Sequence, residues 1–202
     1  MIAANQCYDV FAESIRDYHV RDDINANPSN PYAEGIEALL YEKNWIDTVQ
    51  WHLEDVIRNP EIDPREALAI KRRIDASNQE RTDKVERIDD YFLDAFRDAS
   101  PSADARINSE TPAWLVDRMS ILMLKIYHMK EQTQRTDATP EHRAKCAEKL
   151  DVLMEQKEDM RLAFDELMED IGLGRRRFKV YRQMKMYNDA TMNPVLYARK
   201  RQ

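Results

Sequence analysis

Residues 71–92 read KRRIDASNQERTDKVERIDDYF. Within and around this stretch Ile70, Ile74, Asn78, Arg81, Val85, Ile88, Phe92 and Phe96 recur at steps of three and four, so they share one face of a helix. Two members of that face are polar. Asn78 and Arg81 stand where a core helix carries Leu or Ile, and an unpaired buried amide or guanidinium costs roughly 1–3 kcal/mol or more. The rest of the chain must supply acceptors facing this helix.

Working outward, the same period recurs. Asp63-Pro64 with Glu66 is a helix start, with Asp63 as N-cap and Pro64 in the first turn, where its missing N–H costs nothing. Upstream, a helix over about 32–58 carries the stripe Leu39, Glu42, Trp45, Val49, His52, Leu53, Val56, and Asn59-Pro60 ends it. Further upstream, residues 6–19 form a helix with Cys7, Phe11, Ile15 and Tyr18 on one side, separated by the turn-rich NANPSNP of residues 25–31. Downstream, Thr111-Pro112 and Thr139-Pro140 repeat the start signal. They open a fourth helix to about Gln134, expected to be the most buried, and a fifth that Gly172 stops. A short basic helix is expected over about 176–187, followed by an aperiodic tail.

The expected fold is therefore all-α: an antiparallel four-helix bundle with an extra N-terminal helix and a short basic C-terminal helix plus tail. Three glycines in 202 residues, and no alternating β-branched run bounded by hairpin turns, leave no sheet to expect. No apolar run approaches the ~18 residues of a membrane span, and no leader is apparent, which favours the cytoplasm. Cys7 and Cys146 match no metal or redox spacing and read as reduced, half-buried residues.

Net charge divides the chain. Residues 174–202 hold nine Lys or Arg and one acid, a net of +8, so a total of −7 leaves −15 on residues 1–173. We expect an acidic helical body over 1–173 and a basic arm over 174–202 in a single domain, the arm packing on the body or on a partner.

Counting levels across an antiparallel turn near Glu61 sets Glu42 against Arg81 and Asn78 near Trp45. With His52 they form a polar layer, Glu42, Trp45, His52, Asn78 and Arg81, that either fixes register or holds a small polar or anionic ligand. Nearer the turn, His52, Glu54, Asp55 and Asp75 carry metal-ligand donors, although helical phase turns Glu54 away from His52. Asp83-x-x-Glu86 adds carboxylates at helical spacing, the device by which all-α nucleotide pyrophosphatases hold magnesium; a solvated acidic face is the simpler account. A divalent metal is the one cofactor this pattern admits. In the arm, Arg175, Arg176, Arg177, Lys179, Arg182 and Lys185 interleave with Phe178, Tyr181 and Tyr187, a composition suited to RNA or another polyanion. No phosphate-binding loop, nucleophile elbow, zincin motif or usefully spaced Cys–His pair is present.

The runs Trp51–Arg58, Lys71–Asp75, Asn78–Asp83 and Tyr181–Asp189 with Asn193-Pro194 together resemble an uncharacterised bacterial, Bacteroidetes-type domain-of-unknown-function family, number 4254. The resemblance covers nearly the whole chain. It implies an all-helical bacterial protein and brings no activity, substrate or site residue. The functional expectation is thus a cytosolic binding or interaction module, with a second copy or another protein as partner. The alternatives are a metal-dependent phosphohydrolase of nucleotides or other phosphorylated compounds, and RNA binding through the arm.

Overall fold

Three Pro-started helices set the frame. In the computed structural model, which describes residues 1–184, 186 and 189–198, Asp63 accepts hydrogen bonds from the amides of Arg65 and Glu66. Thr111 accepts from the Trp114 amide and Thr139 from the His142 amide. These caps satisfy amides that an α-helix leaves free at its start. They open α3 (Pro64–Ala95), α4 (Pro112–Gln134) and α5 (Pro140–Gly172). Ahead of them lie α1 (Ala4–Arg21) and α2 (Gly35–Ile57), and α6 (Pro194–Ala198) is a single turn near the end. The chain is largely helical, as its composition implies.

The turns joining α2 to α3 and α4 to α5 are short, and each of these pairs packs together; α1 lies against α2, α4 and α5. Two contacts fix the direction of α1. The Ser14 hydroxyl donates to the Tyr41 carbonyl, and further along His19 meets His52. So α1 and α2 run the same way, and residues 22–34 carry the chain back between them. The core between the helices includes Phe11, Tyr41, Ile88, Phe92, Met119 and Phe164, all essentially buried. Fully burying side chains of this size contributes about 1.5–3 kcal/mol each.

It is α2, not α4, that buries most: ten buried residues against eight in helices of 23 residues each. Packed by α1, α3 and α4, it has little outward face. That moves its polar layer by one residue from the expected stripe. Lys43, Asn44, Asp47 and Thr48 are buried, whereas Glu42 is half-exposed and pairs with Lys84.

Two expectations about the basic segment are corrected. There is a sheet, though minimal: β1 (Arg106–Ile107) and β2 (Arg176–Arg177) pair in parallel. The expected helix over 176–187 is absent across the described residues 176–184 and 186; Lys185 and Tyr187 lie outside the described residues. At the start of this segment the backbone is committed elsewhere, with the amides of Ser102, Arg106 and Asn108 donating to the carbonyls of Gly174, Arg175 and Arg177. Gly174 permits this turn: its φ is 71°, and a Cβ there would sit 2.5 Å from the Ser100 carbonyl oxygen.

Candidate metal centre

The polar layer is built first, because it holds α2, α3 and α4 in register. Lys43, fully buried, pairs with Asp47 one turn on and with Asp117 Oδ1 at 2.8 Å. Arg81 meets Asp117 through Nε (2.9 Å) and Nη2 (2.5 Å), and Asp47 Oδ1 through Nε at 3.3 Å. Ser120 Oγ donates to Asp47 (2.6 Å) and accepts from Asn44 Nδ2 (2.9 Å). Burial alone raises the Asp117 carboxyl, but Lys43 and then Arg81 outweigh it and hold Asp117 below the ordinary carboxylate range. For Asp47 burial prevails over Lys43, and with Asp117 close by the carboxyl is pushed up. Two cations face two carboxylates, so the layer balances its own charge, while Asn44 Oδ1 and Asp47 Oδ1 stay buried without a hydrogen bond among the described residues.

The expected partners are therefore exchanged. Arg81 faces Asp117 and Asp47 rather than Glu42. Asn78 accepts from Gln50, and Trp45 lies against Tyr18 and Tyr41. The carboxylates proposed as metal ligands are not gathered: Glu54 pairs with Arg58, Asp75 with Lys71, and Glu86 with Arg182, while Asp83 accepts from Gln79. In the arm, Arg175 and Arg176 grip Asp170, Arg182 reaches Glu86 and Asp90, and Arg177 and Lys179 are exposed.

His52 has different company. Three of the chain's four histidines, His19 of α1, His52 of α2 and His128 of α4, each bring one ring nitrogen within 4.8 Å of the others. No other trio of His, Cys, Asp or Glu among the described residues does so. The hydrogen bonds set the tautomers. His19 Nδ1 donates to the Ile15 carbonyl (2.7 Å), which leaves Nε2 without a proton and able to accept. His128 Nδ1 donates to Glu131 Oε2 (2.8 Å), which leaves its Nε2 bare, and that atom is buried with no partner among the described residues. His52 Nε2 stands 3.3 Å from His19 Nε2. Burial, then the neighbouring His19 and His128, lower the His52 pKa and keep its ring neutral.

Two imidazole nitrogens bound to one tetrahedral zinc at 2.0–2.1 Å stand about 3.3–3.4 Å apart. The His19–His52 pair has that spacing, and His128, within 4.8 Å, needs to approach by up to about 1.5 Å. Each ring is backed by an aromatic side chain: Tyr18 stacks on His52 (5.0 Å, 14°), Trp51 on His128 (4.9 Å, 11°), and Tyr127 lies on His19 (4.1 Å, 30°). A carboxylate behind a ligating imidazole, as Glu131 stands behind His128, is a common outer-sphere arrangement that orients the ring and raises its basicity. The last turn of α1, which carries His19, also presents the negative end of its helix dipole to a cation.

Beside this cluster a cleft of about 690 Å³ opens between α2, α4 and α5. Trp51 and His128 form one wall and Met129, Val152 and Leu153 the apolar remainder, with Lys125 and Lys149 at the edge. Neither lysine has an ion-pair partner among the described residues.

The family described as "Protein of unknown function (DUF4254)" matches residues 37–180. The chain belongs to this family. No curated protein and no solved structure matches it. The matched span contains His52 and His128, while His19 precedes it.

His52 and the His128/Glu131 spacing were visible in the sequence. His19 was not, because its partners depend on the direction in which α1 lies. A second contact was also missed: His142 and Cys146, one turn apart on α5, meet at 3.4 Å.

Proposed function

We propose that this protein is a metal-dependent enzyme of hydrolytic type, holding one first-row divalent ion between His19, His52 and His128. The observation that carries this is the convergence of three imidazoles, two of them with their outer nitrogens already engaged. Imidazole donors suit zinc and its neighbours rather than magnesium. An ion held by three imidazoles supplies a water or hydroxide near neutral pH. The chain's own part is to fix the rings and to offer the Trp51 cleft for the organic portion of a substrate.

The surrounding helices support a catalytic rather than a fold-holding ion. Tyr18, Trp45 and Leu53 are buried around the rings, which supports a frame held by apolar packing. We take that frame to be an antiparallel four-helix bundle of α2 to α5 with α1 laid on it, one domain with the basic segment as its arm. The charge-balanced Lys43/Asp47/Arg81/Asp117 layer favours a register role over a ligand seat, and the Arg175, Arg176 and Arg182 ion pairs favour an arm docked on the body over one free for RNA.

Zinc, cobalt and manganese titrations by calorimetry, followed by hydrolysis assays with 4-nitrophenyl phosphate and 4-nitrophenyl acetate, test this. We expect one ion per chain and metal-dependent turnover abolished in His52→Ala. Stoichiometric binding without turnover of either ester would overturn the hydrolytic reading, and no binding would overturn the metal centre itself.

A further inference from the structure

Asp22 follows His19 by three residues and ends α1. Its backbone is left-handed, with φ 48° and ψ 46°, and among the described residues it is the one non-glycine at positive φ. That conformation disfavours most side chains by roughly 1–2 kcal/mol, and helices usually give the position to Gly or Asn. The cap itself needs only the backbone, whose amide donates to the Tyr18 carbonyl at 2.9 Å. The carboxylate has no part in it. Among the described residues it receives no hydrogen bond, and the one cationic or imidazole group within ion-pair reach is His52, whose Nε2 lies 4.0 Å from Oδ1.

The neighbouring acids are differently occupied. Glu131 is engaged with His128 Nδ1, and Asp23 accepts from the Asn25 amide. Asp55 is exposed and lines the Trp51 cleft. Asp22 thus combines an unengaged carboxylate with proximity to one ring of the cluster, that of His52, on a backbone that a glycine would hold at less cost.

We propose that Asp22 is the fourth ligand, making the centre His19, His52, His128 and Asp22. This rests on the metal reading above and deepens it. Two ligands of one tetrahedral zinc stand about 3.3 Å apart; Asp22 Oδ1 is within an ångström of that spacing from His52 but outside the 4.8 Å that joins the three histidines, so its side chain, 65% exposed, must swing toward His19 and His128 to close the site. A carboxylate at that rim also gives the resting centre a ligand that an incoming substrate oxygen can displace.

The test uses the full-length chain and the metal alone: zinc affinity by calorimetry, and the visible spectrum of the cobalt-loaded protein, for wild type, Asp22→Asn, Asp22→Gly and Asp55→Asn. Asn and Gly are both at ease in the left-handed region, so neither removes the cap. We expect Asp22→Asn and Asp22→Gly to bind zinc at least tenfold more weakly and to shift the cobalt bands, while Asp22→Gly melts no lower than wild type without metal and Asp55→Asn matches wild type throughout. If wild type binds one ion and the Asp22 variants keep its affinity and spectrum, Asp22 is not a ligand and the three-histidine centre stands without it. If Asp55→Asn produces the shift instead, the fourth ligand is Asp55. If wild type binds no ion, this proposal and the metal reading fail together.

Discussion

Two polar clusters sit along the same helices α2 and α4, and they are finished differently. At Lys43, Asp47, Arg81 and Asp117 every charge has its opposite, and the hydroxyl of Ser120 fills the gap. At His19, His52 and His128, about two turns along, the outer nitrogens of His19 and His128 are satisfied, the inner nitrogen of His19 meets only His52 Nε2 at 3.3 Å, and that of His128 is buried without a partner among the described residues. A buried group without a partner costs free energy that folding has no reason to concede. Charges that balance one another suit a packing role; three imidazoles that each bring a ring nitrogen within 4.8 Å of the others suit the proposed ion.

The comparison is broken most forcefully at the charge-balanced cluster. Asp117→Ala leaves Lys43 and Arg81 with one carboxylate between them, and we expect about 3–5 kcal/mol of lost stability in denaturant unfolding. Arg81→Met with Asp117→Leu removes a matched pair and leaves Lys43–Asp47, so it should unfold near wild type; an equally large loss would show that the layer does more than neutralise itself.

At the histidine cluster the order reverses. His52→Ala should leave the melting temperature almost unchanged and weaken zinc by more than the roughly 10–100-fold that losing an outer-sphere partner costs. Glu131→Gln, which keeps His128 in place but removes the charge behind it, should fall within that 10–100-fold range in a calorimetric titration. An affinity unchanged by Glu131→Gln would mean that the carboxylate does not orient the ring.

Acid sharpens the contrast by a smaller amount. The folded pKa of Asp117 is depressed by Lys43 and Arg81 against its burial. Its contribution to stability is therefore present above the unfolded carboxylate value of about 3.9 and is lost as pH falls from there through the lower folded value. Asp47, raised, acts in the opposite sense. Asp117→Asn should flatten the acid limb of a stability–pH curve, and an unchanged limb would count against that depression. The smallest effect belongs to the surface: Arg175→Ala breaks partly exposed pairs with Asp170 and Glu169 and should leave the unfolding midpoint close to that of wild type.

How much of this was legible beforehand follows from which signals are local. Pro-started helices at 64, 112 and 140 are caps, written within four residues, and the α3 face from Ile74 to Phe92 is a period; both are found in place. A polar layer of Glu42, Trp45, His52, Asn78 and Arg81 was expected; the groups that meet Arg81 are Asp47 and Asp117, and Glu42 pairs with Lys84 instead. A stripe drawn from one apolar face assumes one buried face, and α2 is covered on three sides, which brings Lys43 and Asp47 inward. The pair Lys43-x-x-x-Asp47 was the overlooked sign. The arm's helix failed because propensity yields when β2 gives the backbone another set of partners. His19 was the hardest residue to place. Its role depends on residues 22–34 returning the chain so that α1 runs parallel to α2, and no local pattern encodes that return.

The central claim is that one divalent ion lies between three helices. Native mass spectrometry of the full-length chain with a stoichiometric excess of zinc, for wild type and His19→Ala, measures it most directly. We predict a single retained zinc on wild type and none on His19→Ala, with both chains folded. A wild-type chain that retains no zinc, or a His19→Ala chain that retains it equally well, would contradict the account.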